Sequence, residues 1–233
     1  MEADTIVLGL TWFVVFLFST TLHEAGHAFA AWRLGDPTAY EGGQVSLNPL
    51  PHIQREPFGM ILVPLITFGL SGWMMGWASA PYDPSWAHNH PKRAGVMALA
   101  GPAGNLILVL LSGILIRVGL AVGWFHAPGA ISFTQIVAGN GGWTDGAVVP
   151  LSILFTLNLL LFAFNLLPVP PLDGSAVVPM FLSDSANRRY QELLHQPMLS
   201  LIGLLIAWRV FPYVFEPVYV LALRMLYPGM IYG

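Results

Sequence analysis

Ile6-Val-Leu-Gly-Leu-Thr-Trp-Phe-Val-Val-Phe-Leu-Phe-Ser-Thr-Thr-Leu-His23-Glu24-Ala25-Gly26-His27-Ala-Phe-Ala-Ala-Trp32 is an apolar run with three ionisable side chains set inside it. About 20 apolar residues suffice for a helix to cross a bilayer. Ionisable groups inside such a span are expensive and by default carry function. On a helix His23 and His27 are four residues apart and project from one face, one turn above the other. Two imidazoles at that spacing can share a metal ion, with Glu24 beside them to take a proton from a metal-activated water. The motif therefore predicts a hydrolytic metal centre carried by a membrane helix.

Composition agrees with a membrane location. The 233 residues are 55% hydrophobic and 9% charged, whereas soluble domains carry about 25% charged residues. The length predicts one compact bundle over 1–233 with no appended soluble domain. The net charge of −3 comes with no basic tract, which argues against a nucleic-acid partner. There is no cysteine, so metal ligands must come from His, Asp and Glu. Glu2 and Asp4 stand where a cleaved signal would be positively charged, so the first segment is expected to be retained.

Further apolar segments fall at roughly 57–79, 94–122, 148–168 and 198–228. Ala39 to Leu47 reads as a short β-hairpin turning at Gly42-Gly43. The stretch 183–197, with Arg188, Arg189 and Glu192, reads as an amphipathic surface piece. Pro212 and Pro217 allow either one span or two short pieces at the C-terminal end. Charge orients the segments. If each crossed once with the N-terminus outside, Arg33 and Arg55 would be inside but Lys92, Arg93, Arg188 and Arg189 outside, against the positive-inside rule. If 57–79 enters and returns, all six lie on the cytoplasmic side. Gly59, Pro64, Gly69, Gly72 and Gly76 suit such a broken or re-entrant segment. The expected fold is thus an all-α polytopic membrane protein, a transmembrane helix bundle with a small membrane-associated β-hairpin and a re-entrant segment. Its catalytic core is expected at about 5–180.

A catalytic zinc site usually has three protein ligands. Asp173, just beyond the end of 148–168, is the best candidate for the third. It can meet His23 and His27 if both segments run the same way, which a re-entrant 57–79 provides. Taken alone, an Asp before Gly174 reads first as a helix-terminating turn residue.

His23-Glu-Ala-Gly-His27, Gly101-Pro-Ala-Gly-Asn105 and Asn165…Pro168…Asp173-Gly174, in that order, resemble the site-2 protease family of intramembrane zinc metalloproteases. Val45 to Ile53 and Gly76-Trp77-Ala78 are similar to its compact bacterial branch, without a PDZ or CBS domain. The resemblance implies one Zn2+ per chain held by His23, His27 and Asp173, with Glu24 as catalytic acid/base. It also implies that Asn165 holds the substrate strand or the developing oxyanion. Asn105 is read either as a packing residue or in the same substrate role. Gly43, Gln44, Val45 and Ser46 are expected to offer an edge to which an unwound substrate adds as a strand. The implied activity is endoproteolysis in or near transmembrane helices, regulated intramembrane proteolysis, in a bacterial or archaeal cell membrane with the site towards the cytoplasm. Partners would be transmembrane protein substrates and the lipid bilayer, with a regulatory membrane partner and the oligomeric state left open. The rival readings are a non-catalytic zinc-binding membrane protein, such as a transporter or scaffold, and a di-iron membrane enzyme. Glu24 argues against the first, and the presence of only one HxxxH pair against the second.

Overall fold

The computed structural model describes residues 3–194 and 197–230, which leaves Glu2 and His195 outside it. In chain order the helices are α1 (Ala3–Leu34), α2 (Thr38–Glu41), α3 (Pro49–Arg55), α4 (Val63–Ser71), α5 (Pro84–Asn89), α6 (Pro91–Ala121), α7 (Trp143–Asn165), α8 (Asp173–Val177), α9 (Asp184–Leu194) and α10 (Pro197–Leu226). Short strands β1 (Phe125–His126) and β2 (Ala138–Gly139) lie between α6 and α7. Helices α1, α6, α7 and α10 are long and apolar enough to cross a membrane. The shortest, α7, has 23 residues and so extends about 35 Å, against a hydrocarbon core of about 30 Å. Exposed apolar side chains such as Val14, Ile114 and Leu205 ring the bundle, a surface suited to lipid. The chain is an integral membrane protein.

Side-chain contacts fix the helix directions. Going down α1, His23 meets Asn105 and His27 meets Met97, so α6 runs antiparallel to α1. Ser19 meets Asn158 of α7, and His27 meets Asp173 beyond the end of α7, so α7 runs parallel to α1. Small residues let the backbones approach: a Cβ on Gly26 would lie 2.7 Å from the Ala100 carbonyl oxygen. Helix α10 starts at the end of the bundle where α7 finishes, and there a Cβ on Gly203 would overlap the Pro170 carbonyl. It finishes at the far end, where Arg117 of α6 donates to the Leu226 carbonyl at 2.9 Å. That bond gives Arg117 a partner among the free carbonyls of a helix C-terminus. Pro212 and Pro217 both lie inside α10, which is one continuous helix.

The segment 57–79 enters the bundle and returns. A π-helical turn (Phe58–Leu62) leads into α4, whose Phe68 ring reaches Gly9 near the start of α1. The chain reverses at Gly72, with φ +77°, a conformation open mainly to glycine. It then runs back without regular structure from Met74 to Asp83. Backbone polar groups at this depth need partners inside the protein. Thr67 supplies them: its hydroxyl accepts from Met75 N–H at 2.9 Å and donates to the Pro64 carbonyl at 3.1 Å. The Trp77 N–H reaches the Gly59 carbonyl at 3.1 Å. A Cβ on Gly59 or Gly76 would overlap backbone of the opposite limb, so two glycines allow the limbs to touch.

The hairpin expected over 39–47 is not formed. Asp36 accepts from the Thr38 N–H and hydroxyl and starts α2. The helix then closes in a Schellman motif: Gly43 N–H bonds the Tyr40 carbonyl and Gln44 N–H the Ala39 carbonyl, both at 2.9 Å, with Gly43 at φ +74°. Local capping thus turns Gly42-Gly43 into a helix stop and not a hairpin turn. Gly43, Gln44, Val45 and Ser46 belong to no strand and offer no hairpin edge. The small antiparallel sheet lies instead at the far end, pairing Phe125 with Gly139 and His126 with Ala138. The stretch 183–197 contains the amphipathic helix α9, as its charges suggested.

Candidate active site

Met97, Gly101 and Asn105 fall four residues apart on α6, and Ser19, His23 and His27 do the same on α1. Rows at that spacing face one way on a helix, and here the two rows face each other across the close α1–α6 contact. The His27 Nδ1 lies 2.8 Å from the Met97 carbonyl oxygen. That oxygen can only accept, so His27 carries its proton on Nδ1 and a lone pair on Nε2. The His23 Nδ1 lies 2.6 Å from Asn105 Oδ1, which gives His23 the same tautomer.

Asp173 is brought to these rings by the end of α7. After Asn165 the chain turns through Leu166 to Leu172, and Asp173 is the first residue of α8. The turn is tight: a Cβ on Gly174 would overlap the carbonyls of Leu166 and Leu167. Leu167, Leu172 and Ala207 of α10 pack beneath it in a buried apolar cluster. Asp173 Oδ2 lies 3.1 Å from His23 Nε2 and 3.3 Å from His27 Nε2, and the two Nε2 atoms are 3.0 Å apart.

The chemistry of this trio fits a metal ion. Two Nε2 atoms and a carboxylate oxygen converge on one point, and with both imidazoles neutral and protonated at Nδ1 all three offer lone pairs that a cation would satisfy. Asp173 Oδ2 is buried and, among the described residues, has no hydrogen-bond partner apart from these two imidazoles. Ligand atoms around one tetrahedral zinc ion lie roughly 3.3–3.5 Å apart, close to the spacing found. Space is kept open by Gly101, where a Cβ would overlap His27 Nε2 and stand 2.7 Å from His23 Nε2.

Glu24, 6% exposed, lies beside the trio and has no hydrogen-bond partner among the described residues. With His27, Met97 and Asp173 it lines a cavity of about 410 Å³. Ala78, Ser79 and Ala80 of the returning limb form another wall, and Gln191 and Leu194 of α9 reach it from outside the bundle.

The remaining expected residues stand elsewhere. Asn105 is fully buried behind His23, with its Nδ2 donated to Asn158 Oδ1 at 2.8 Å. It supports a ligand and does not face the cavity. Asn165 is the last residue of α7 and donates to its own helix at the Leu161 carbonyl, 3.1 Å away. Gln44 is buried and touches the cavity wall indirectly, through its Nε2 bond to the Ser79 carbonyl at 3.2 Å. Gly101, Asn158 and the limb 78–80 were not singled out for the site by sequence reasoning; the spacing 97/101/105 on α6 was the available signal.

The family model described as Peptidase family M50 matches residues 11–208. The chain is 36% identical over 166 residues to "Putative zinc metalloprotease YwhC" of Bacillus subtilis (strain 168), covering 71% of this chain and 66% of that protein. It is 29% identical over 203 residues to "Putative zinc metalloprotease Rip2" of Mycolicibacterium smegmatis (strain ATCC 700084 / mc(2)155), covering 87% of this chain and 69% of that protein. It is also 30% identical over 191 residues to the Rip2 protein of Mycobacterium tuberculosis (strain ATCC 25618 / H37Rv), covering 82% and 64%. The chain thus spans about two thirds of the length of these relatives. No solved structure matches it.

Proposed function

Because this chain belongs to peptidase family M50, we propose that it is a zinc endopeptidase that cuts transmembrane segments of other proteins inside the membrane. The observation that carries this reading is the convergence of His23, His27 and Asp173 beside Glu24, within helices that span the bilayer. A Zn2+ ion held by those three residues would supply Lewis acidity towards a peptide carbonyl and a water molecule.

The chain's own groups divide the rest of the work. Glu24 accepts a proton as water adds to the carbonyl carbon, and gives it to the nitrogen as the C–N bond breaks. A substrate helix has its amides already bonded internally, so it must unwind before cleavage. Its extended backbone then needs an edge near Glu24. The N–H groups of Ala78, Ser79 and Ala80 have no partner among the described residues and border the same cavity as Glu24. The returning limb, in place of Gly43 to Ser46, therefore takes the strand-pairing role.

Orientation follows from charge. Arg33, Arg55, Lys92, Arg93, Arg188 and Arg189 all lie towards the end of the bundle that holds the metal site. The positive-inside rule turns that end to the cytoplasm, consistent with a bacterial or archaeal cell membrane and with regulated intramembrane proteolysis. The test compares wild type with Glu24→Gln, purified in detergent, for zinc content and for cleavage of model transmembrane peptides. Both should bind about one zinc and only wild type should cleave. Zinc bound with equal cleavage by both would remove Glu24 from its role, and no zinc in wild type would overturn the site.

A further inference from the structure

Helix α7 reaches the metal site a second time, through a residue that is neither a ligand nor in the cavity wall. Asn158 Oδ1 accepts from Asn105 Nδ2 at 2.8 Å, and Asn158 Nδ2 donates to Ser19 Oγ and to the Leu154 carbonyl, both at 2.8 Å. Ser19, Asn105 and Asn158 are all completely buried. We infer that Asn158 is a positioning residue which sets the tautomer of His23, acting through Asn105. The inference rests on the zinc-peptidase reading of the site.

The two metal-site histidines are oriented differently. His27 faces a backbone carbonyl, which can only accept. His23 faces a side-chain amide, which turned over would present N–H in place of oxygen. An Asn105 amide turned that way would push the His23 proton to Nε2 and remove the lone pair a metal needs. Asn105 itself holds no information about which way to face. Asn158 supplies it. The Leu154 carbonyl accepts only, so the Asn158 NH2 must point at it, and Asn158 Oδ1 must point at Asn105. Asn105 then turns its NH2 to Asn158 and its oxygen to His23. An amide turned over at either position would set oxygen against oxygen or N–H against N–H where no water can intervene, which is costly in a buried site. A backbone carbonyl on α7 thereby dictates the proton position on an α1 imidazole through two amides.

A plain packing role for Asn158, as a polar contact between three helices, makes a different prediction. Replacing Asn105 by Asp removes the ambiguity, because a carboxylate facing His23 only accepts. Asn158→Leu should therefore weaken zinc binding about 10–100-fold, the usual size for an outer-shell partner, and much less in an Asn105→Asp background. Zinc affinity is read by competition with a chelator in detergent, and the visible spectrum of the Co2+-loaded protein reports the ligand field. In metal-free protein, 15N signals of labelled histidine should show His23 protonated at Nδ1 in wild type and mixed tautomers in Asn158→Leu. Asn158→Ala, a smaller truncation that removes the same bonds, should show the same mixture if Asn158→Leu does not accumulate, while Ser19→Ala, which leaves the Leu154 bond, should keep His23 protonated at Nδ1. Equal losses of affinity in both backgrounds, an unchanged tautomer in Asn158→Leu or Asn158→Ala, or mixed tautomers in Ser19→Ala would overturn the inference. Absence of zinc binding in wild type would instead overturn the site reading, while the metal-free 15N signals would still decide the tautomer relay.

Discussion

Gly101 leaves the space in front of His23 open: a Cβ added there would stand 2.7 Å from His23 Nε2 and closer still to His27 Nε2. Gly101→Ala therefore forces a methyl group into the position from which both imidazoles would bind a metal. We expect zinc content to fall at least about tenfold, with the helices still formed. Gly104→Ala is the control, since its Cβ would meet the Leu22 carbonyl oxygen at 3.4 Å, and small shifts relieve such a contact. Metal analysis of the two purified variants decides it; a full complement of zinc in Gly101→Ala would refute the placement.

Proline in the returning limb separates substrate pairing from metal binding. Ala78 and Ser79 border the cavity in backbone that belongs to no helix or strand. Proline removes the N–H of its own residue. Ala78→Pro and Ser79→Pro should cut cleavage of a model transmembrane peptide at least about tenfold while leaving zinc affinity unchanged. Val45→Pro and Ser46→Pro should leave both unchanged. Cleavage lost in the second pair and kept in the first would return the pairing role to residues 43–46.

The meeting of His23, His27 and Asp173 was readable from sequence because helical spacing alone puts His23 and His27 on one face, and because six basic residues constrain which way α7 runs relative to α1. The re-entrant limb followed from the same charges and its glycines. The row Met97, Gly101, Asn105 has equally regular spacing, yet it acquires meaning only when laid antiparallel against Ser19, His23 and His27, and that pairing is tertiary. Gly101 consequently stood only as part of a family motif, and Asn105 as either a packing or a substrate residue. The hairpin was misplaced for a local reason: Gly42-Gly43 can serve either as a hairpin turn or as a helix stop, and the Asp36 bonds to Thr38 start a helix that Gly43 then closes. The actual strands have two residues each. The backbone beside β2 is held by a side chain of α7, with Ile136 N–H donating to Ser152 Oγ. No local pattern marks them.

Asp36 ties the start of α2 to the end of the returning limb. Its carboxylate accepts from the Thr38 hydroxyl and N–H and, at 2.8 Å, from the Asp83 N–H. Burial pushes this carboxyl up, but the bonds from Thr38 and Asp83 outweigh burial and hold it below its ordinary value. A carboxyl depressed on folding contributes stability above its unfolded value, near pH 3.9, and loses it as pH falls towards the folded one. Asp36→Ala should lower stability at pH 7 by about 1–3 kcal/mol. The gap from wild type should narrow below about pH 4. Thermal unfolding in detergent at pH 7 and at low pH measures both, and a gap that widens on acidification would contradict the assignment.

Orientation in the membrane is open to a direct test, because the chain has no cysteine and single cysteines can be introduced cleanly. Ser183 lies in the exposed turn between α8 and α9, at the metal end, and Gly129 in the exposed loop between β1 and β2, at the far end. Ser183→Cys should react with a membrane-impermeant maleimide only after a bacterial host's inner membrane is opened, whereas Gly129→Cys should react in cells whose outer barrier alone is permeabilised. The six basic residues at the metal end favour this outcome, each drawn to the cytoplasmic side by the same rule. Labelling in the reverse order would place the cavity on the outer side. Glu24 and the Ala78–Ala80 limb would then meet substrates from the outside, and the charge argument would fail along with the assigned direction of α1.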